Sequence, residues 1–143
     1  MVILLIEGDG QLRDDVRSML RAQGHRVKIV DEGADALVML RKCIFDLIVT
    51  SLMAGNMRVV EFAIAAKSLQ PRTPIVVTGG YFGPNPVIPF VDAIVQQPVS
   101  LPDLGRAVSM LLEASAPPRR VHPPSYLRRN RRRVPRRIKN DDP

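Results

Sequence analysis

Three apolar runs in the first eighty residues end on side chains that can do chemistry. Val2-Ile3-Leu4-Leu5-Ile6 runs into Glu7-Gly8-Asp9, Leu47-Ile48-Val49-Thr50 into Ser51, and Pro74-Ile75-Val76-Val77 into Thr78. Glu7 and Asp9 are oxygen donors of the kind that a hard cation such as Mg²⁺ prefers. A serine hydroxyl becomes a useful nucleophile only with a general base beside it. Neither histidine is placed for that: His25 precedes the second apolar run and His122 lies close to the C-terminus. No nucleophile–base–orienter set can be assembled for hydrolysis by Ser51 or Asp9, so the expectation is a protein that is not an enzyme. Gly79, Gly80 and Gly83 are too irregularly spaced for a phosphate-binding fingerprint and read as a bent loop. Tyr81 and Phe82, beside them, are a candidate contact pair at the carboxyl end of a strand. The one cysteine, Cys43, excludes an internal disulfide and a cysteine-built zinc cage, and it fits a reducing compartment. At a helix end it is expected to be a small buried hydrophobe. His25 has no metal-ligand neighbour.

The elements that must position these residues alternate between two textures. Residues 2–6, 27–30, 47–50, 74–78 and 93–95 are short, nearly continuous apolar runs rich in β-branched residues, as in strands covered on both faces. Between them lie helical spacings: Leu12, Val16, Met19 and Leu20; Ala34, Leu37 and Leu40; Val59, Phe62, Ala66 and Leu69; Leu104, Ala107, Val108, Leu111 and Leu112. Gly24 is placed to end the first helix in a left-handed conformation. Asp9 is placed to cap the start of that helix, and Ser100 to cap the last one. The pattern predicts an α/β doubly wound domain with right-handed crossovers. It breaks once. Residues 79–91 hold three glycines and three prolines, which cannot sustain a helix, so a loop should replace the fourth helix.

Charge divides the 143 residues in two. Residues 117–143 hold ten of the 21 basic residues and two of the 14 acids, or +8; residues 1–116 hold the other 11 and 12, or −1. A near-neutral domain over 1–116 is therefore followed by a basic segment, expected to be disordered alone because it lacks apolar residues to offset the entropy of ordering. Its Arg128, Arg129, Arg131, Arg132, Arg133, Arg136 and Arg137 are candidate contacts for nucleic-acid phosphates or an acidic partner. The opening residues lack the basic start of a secretory signal, and no apolar run approaches a membrane span. A soluble, cytoplasmic protein is expected.

Taken together, the five strands, the strand-end acid, the segment from Phe45 to Met53 and the Gln97-Pro98 pair resemble the receiver domain of two-component response regulators, over about residues 2–114. The resemblance implies a flavodoxin-like, five-stranded parallel sheet in the order 2-1-3-4-5. It places Glu7 and Gly8 where receivers carry two acids, Ser51 at the phosphorylated aspartate, Thr78 at the switch hydroxyl and Gln97 at the lysine. Gln97-Pro98 stands where the family's Lys-Pro usually carries a cis peptide. Ile94 falls at the aromatic residue that rotates when a receiver is phosphorylated.

That carry-over implies a receiver unable to do the family's chemistry. The nucleophile has become an alcohol, one acid a glycine and the lysine an uncharged amide, three losses to a reaction that depends on positioning and charge neutralisation. No cofactor is expected, with Glu7 and Asp9 left as the only candidate ligands for Mg²⁺. The expected function is a stand-alone pseudo-receiver working by contact with a sensor histidine kinase or another response regulator, with homodimers allowed. The alternative is a nucleic-acid binder whose basic segment is carried by the receiver-like domain.

Overall fold

The computed structural model describes residues 1–51, 53–54, 57–80, 83–84 and 86–115. Tyr81, Phe82 and the arginine-rich segment lie outside the described residues.

Along the chain come β1 (Val2–Ile6), α1 (Gly10–Ala22), β2 (Arg26–Val30), α2 (Gly33–Lys42), β3 (Leu47–Ser51), α3 (Val59–Leu69), β4 (Ile75–Thr78), β5 (Ala93–Val95) and α4 (Leu101–Ser115). All five strands pair in parallel, in the order β2-β1-β3-β4-β5, as expected. A two-residue antiparallel pair, Met53–Ala54 with Met57–Arg58, follows β3 and was not expected from the sequence.

Alternation along each strand divides the core, because successive side chains leave a strand on opposite faces. Leu4, Ile6, Ile48, Ile75 and Val77 pack with Ala36 and Leu40 of α2 and Phe62, Ala63 and Ala66 of α3. Ile3, Leu5, Leu47, Val49 and Val76 pack with Val16 and Leu20 of α1 and Leu104, Val108 and Leu112 of α4. Residues of β1, β3 and β4 are buried on both sides, which is why their sequences read as unbroken apolar runs.

Local rules fix the helix ends. Asp9 Oδ1 accepts the Leu12 N–H at 3.0 Å and caps α1. Gly24, at φ +91°, closes it: its N–H reaches the Arg21 carbonyl at 2.9 Å while the His25 N–H reaches that of Leu20 at 3.2 Å. Ser100 Oγ accepts the Asp103 N–H at 3.3 Å at the start of α4. Two helical positions depart from expectation. In α2 the buried face is carried by Gly33, Ala36 and Leu40, with Leu37 packed partly beside them, so the i, i+3, i+4, i+7 spacing starts at Gly33 and leaves Ala34 exposed. Leu69, at the end of α3, is 38% exposed.

Among the described residues no helix stands between β4 and β5. Ile88, 9% exposed, instead plugs the α2–α3 side of the core, and Val91 N–H returns to the Ile88 carbonyl at 3.1 Å in a tight turn. Asp92 anchors the segment. Its Oδ2 accepts the Ile75 N–H at 2.8 Å and pairs with Lys67 Nζ of α3 at 3.0 Å. No helix among the described residues is long and apolar enough to cross a membrane.

Candidate functional site

Ile6 of β1 pairs with Thr50 of β3, and Ser51 with Thr78 of β4, so Glu7, Ser51 and Thr78 stand at the carboxyl ends of three adjacent strands. All three continue the parity that faces α1 and α4: Glu7 follows Ile3 and Leu5, Ser51 follows Leu47 and Val49, and Thr78 follows Val76. Thr50 has the opposite parity and is fully buried, with its hydroxyl 3.2 Å from the Ser51 carbonyl, so it cannot replace Ser51.

A concavity of about 560 Å³ opens here, lined by Glu7, Gly8, Asp9, Arg13, Asp31, Glu32 and Ser51. Four of the sequence-predicted residues therefore come together. Thr78, 3% exposed, stands behind them beside Ser51. Gln97 is exposed at the end of β5; its backbone N–H donates to the Gly80 carbonyl at 2.8 Å, and its peptide to Pro98 is cis, as the resemblance implies. Ile94 is half-buried against the α2–α3 side of the core.

Three residues of the concavity were missed. Asp31 and Glu32 directly follow β2, whose Val30 pairs with Ile6, so a search of every strand's carboxyl end would have found them. Arg13, one turn into α1, pairs across the concavity with Asp31 at 3.4 Å. The electrostatic result is four carboxylates against one guanidinium, and that guanidinium is already engaged.

The donors do not fit a divalent cation of the receiver type. Mg²⁺ asks for near-octahedral oxygen coordination, usually through one or two carboxylates. Glu7, 6% exposed, already uses Oε1 to accept the Asp9 N–H at 3.0 Å; Asp9 is turned to cap α1; Gly8 offers no side chain. Among the described residues no group of three histidine, cysteine, aspartate or glutamate side chains is arranged to hold a metal.

Two residues outside the concavity also need placing. Cys43 is exposed, contrary to expectation: it is the C-cap of α2, where the chain turns away and Ile44 beside it is 86% exposed. Burial there falls instead to Phe45, whose N–H is held by Gln70 Oε1 at 3.0 Å. His25 has a buried Nδ1 without a hydrogen-bond partner in the structure. Burial lowers its pKa below 6.5, helped by the Met1 ammonium and opposed by Asp46. A base harder to protonate when folded stabilises the fold above the unfolded value and loses that contribution as the pH falls below about 6.5. An NMR titration should place the His25 midpoint under 6.5, and His25→Gln should reduce the loss of stability between neutral pH and that midpoint. A midpoint above 6.5 would contradict this assignment.

No protein-family profile matches the chain. Among curated proteins it is similar to the response regulator receiver protein CpdR of Brucella abortus (strain 2308), 27% identical over 117 residues, which cover 79% of this chain and 98% of that protein. It also resembles a solved streptococcal protein described as one of a novel family of redox sensors evolved from two-component response regulators. That match has 25% identity and a TM-score of 0.71, and covers 79% of this chain but 51% of the other. The solved response regulator receiver protein of Sinorhizobium medicae WSM419 superposes with a TM-score of 0.70 and is 30% identical, covering 81% of this chain and 97% of that one. Identity at that level along nearly the whole of a receiver, on a sheet of the same kind, makes this chain a member of the response-regulator receiver family.

Proposed function

We propose that this receiver is a signalling module of a two-component network that works by protein–protein contact and forms no phosphoaspartate. The carrying observation is Ser51 at the end of β3, in one concavity with Glu7 and with Gly8 in place of a second acid. An alcohol there is not the carboxylate that a phosphoaspartate requires, and four carboxylates around it oppose the approach of a phosphoryl anion. Downstream, Thr78 keeps the switch hydroxyl, but Ile94 is an aliphatic residue on β5, so the hydroxyl-and-aromatic relay lacks its reporter and, without phosphorylation, its trigger. A switch requires a ligand that discriminates between two states, and phosphorylation no longer supplies one. The streptococcal relative supports the reading: it is described as a redox sensor evolved from response regulators, a receiver ancestry serving another input. In this reading the protein is cytoplasmic, is not an enzyme, and takes a sensor histidine kinase or another response regulator as its partner.

The test is to incubate the protein with Mg²⁺ and acetyl phosphate, or with a phosphorylated sensor kinase, and assay incorporated phosphate and its lability to hydroxylamine. None is expected. Hydroxylamine-labile label would identify a carboxylate acceptor, and hydroxylamine-stable label lost in Ser51→Ala would identify an ester on Ser51; either overturns the proposal.

A further inference from the structure

The acids of residues 1–116 are unevenly placed. Four of the 12, Glu7, Asp9, Asp31 and Glu32, line one concavity in which Arg13 is the only basic side chain among the described residues. Several carboxylates elsewhere are met by a neighbour: Lys67 pairs with Asp92, Arg106 with Asp103 and Arg17 with Asp14. In the concavity Arg13 engages Asp31, while Glu7, Asp9 and Glu32 take part in no ion pair among the described residues.

Glu7 distinguishes this cluster from a group of solvated surface acids. It is 6% exposed and still lines the concavity. Its Oε1 accepts the Asp9 N–H, and its Oε2 accepts no hydrogen bond among the described residues. A carboxylate withdrawn from water is costly unless a cation and hydrogen-bond donors meet it. A ligand suited to Glu7 is therefore cationic and carries several donors, without the octahedral shell that Mg²⁺ requires. A guanidinium has those properties: it is planar, always charged and has five N–H donors that match carboxylates in pairs. Arg13 already sets one against Asp31, at 3.4 Å.

The same chain carries such groups: residues 128–137 hold seven arginines and no acid. We infer that the concavity is a guanidinium-binding site whose ligand is this arginine-rich segment of its own chain. Charge favours the concavity over the rest of the surface. Its lining residues sum to −3 and residues 1–116 to −1, so the remainder of the domain is +2 and repels the segment. Reach is also sufficient. Glu113 shares a recess with Met1 and His25, at the amino ends of β1 and β2, so α4 ends at the opposite pole of the sheet from Glu7. The 15 residues of α4 span about 22 Å. The arginines lie 13 to 22 residues beyond Ser115, and a flexible chain of that length has a root-mean-square span of about 20–26 Å. Seated in the concavity, they supply the positive charge that Gln97 does not. The inference stands on these charges and holds whether or not Ser51 can be modified.

A nitroxide on Asn130→Cys, in a Cys43→Ser background because Cys43 is exposed, reports by NMR where the segment sits in the full chain. At low salt the amides of Glu7, Gly8, Asp31 and Glu32 should broaden roughly fivefold more than those of Val38 and Ile64, which are exposed on α2 and α3. The contrast should disappear at about 1 M salt, where screening acts within about 3 Å. Asp31→Asn combined with Glu32→Gln, both at exposed positions, should cut the broadening about threefold or more, and Glu7→Gln should reduce it further. Glu61→Gln combined with Glu113→Gln makes the same change of charge outside the concavity and should leave the broadening intact. A spin-labelled chain mixed with an isotope-labelled chain lacking the nitroxide should broaden nothing, because the contact is within one chain. Broadening centred elsewhere, no broadening, an equal loss from the control pair, or broadening only between chains overturns the proposal.

Discussion

The triple variant Gly8→Asp, Ser51→Asp, Gln97→Lys is expected to take up hydroxylamine-labile phosphate from acetyl phosphate and Mg²⁺, where the parent takes none. The backbone already offers the positions. A Cβ at residue 8 would meet nothing within 4 Å, so a carboxylate there displaces no neighbour. Ser51 lies on the pocket face of β3, where an aspartate is a short extension of the side chain already present. Gln97 is exposed, so lysine adds charge without a burial cost. Ser51→Asp alone supplies an acceptor and should label slowly. Each of the other two changes should raise the rate by about 10²-fold, the order of a lost or regained transition-state contact. If the triple variant stays folded yet unlabelled, the defect lies beyond these positions, with the Arg13–Asp31 pair across the mouth the first place to look.

That experiment also separates what the sequence discloses from what only the fold does. The sheet was legible because β1, β3 and β4 are buried on both faces and must be apolar throughout. The missing helix was legible because glycine and proline act locally, and Gly79, Gly80 and Gly83 do adopt positive φ. Ser51, Glu7 and Gly8 could be found because each sits one or two steps past an apolar run. Asp31 and Glu32, just past β2, were readable in the same way and were overlooked, whereas Arg13 was not, since its place in the concavity depends on the direction in which α1 leaves Asp9. Cys43 was misread for a related reason: burial at a helix end depends on where the next segment goes, and here Phe45, two residues later, turns inward instead. Periodicity reports the face of an element, whereas a site at the strand ends is made by neighbours distant in sequence.

The same distinction predicts the largest loss of stability. Phe62→Ala should destabilise the domain by about 3–5 kcal/mol, the range for emptying a buried aromatic site. Phe62 is fully buried on the inner face of α3, among Ile48, Ile75, Val77 and Ile88. Its neighbours on the helix, Val59, Ala63 and Ala66, are too small to refill the space, and the strands beneath are held in register by their ladders. Ile88, with Val91 packed partly beside it, covers this side from the segment between β4 and β5, so the cavity would open beneath a loop rather than a helix. Against a total of about 5–15 kcal/mol for a typical domain, the loss consumes a large share of the stability. The melting temperature should fall by roughly 10–25 °C, and the urea midpoint should drop with little change in slope. Ile64→Ala, two residues along the same helix at 48% exposure, is the control and should cost under about 1 kcal/mol. Equal effects from the two variants would mean that α3 does not bury the face assigned to it, and that the sheet is covered there by something other than Phe62.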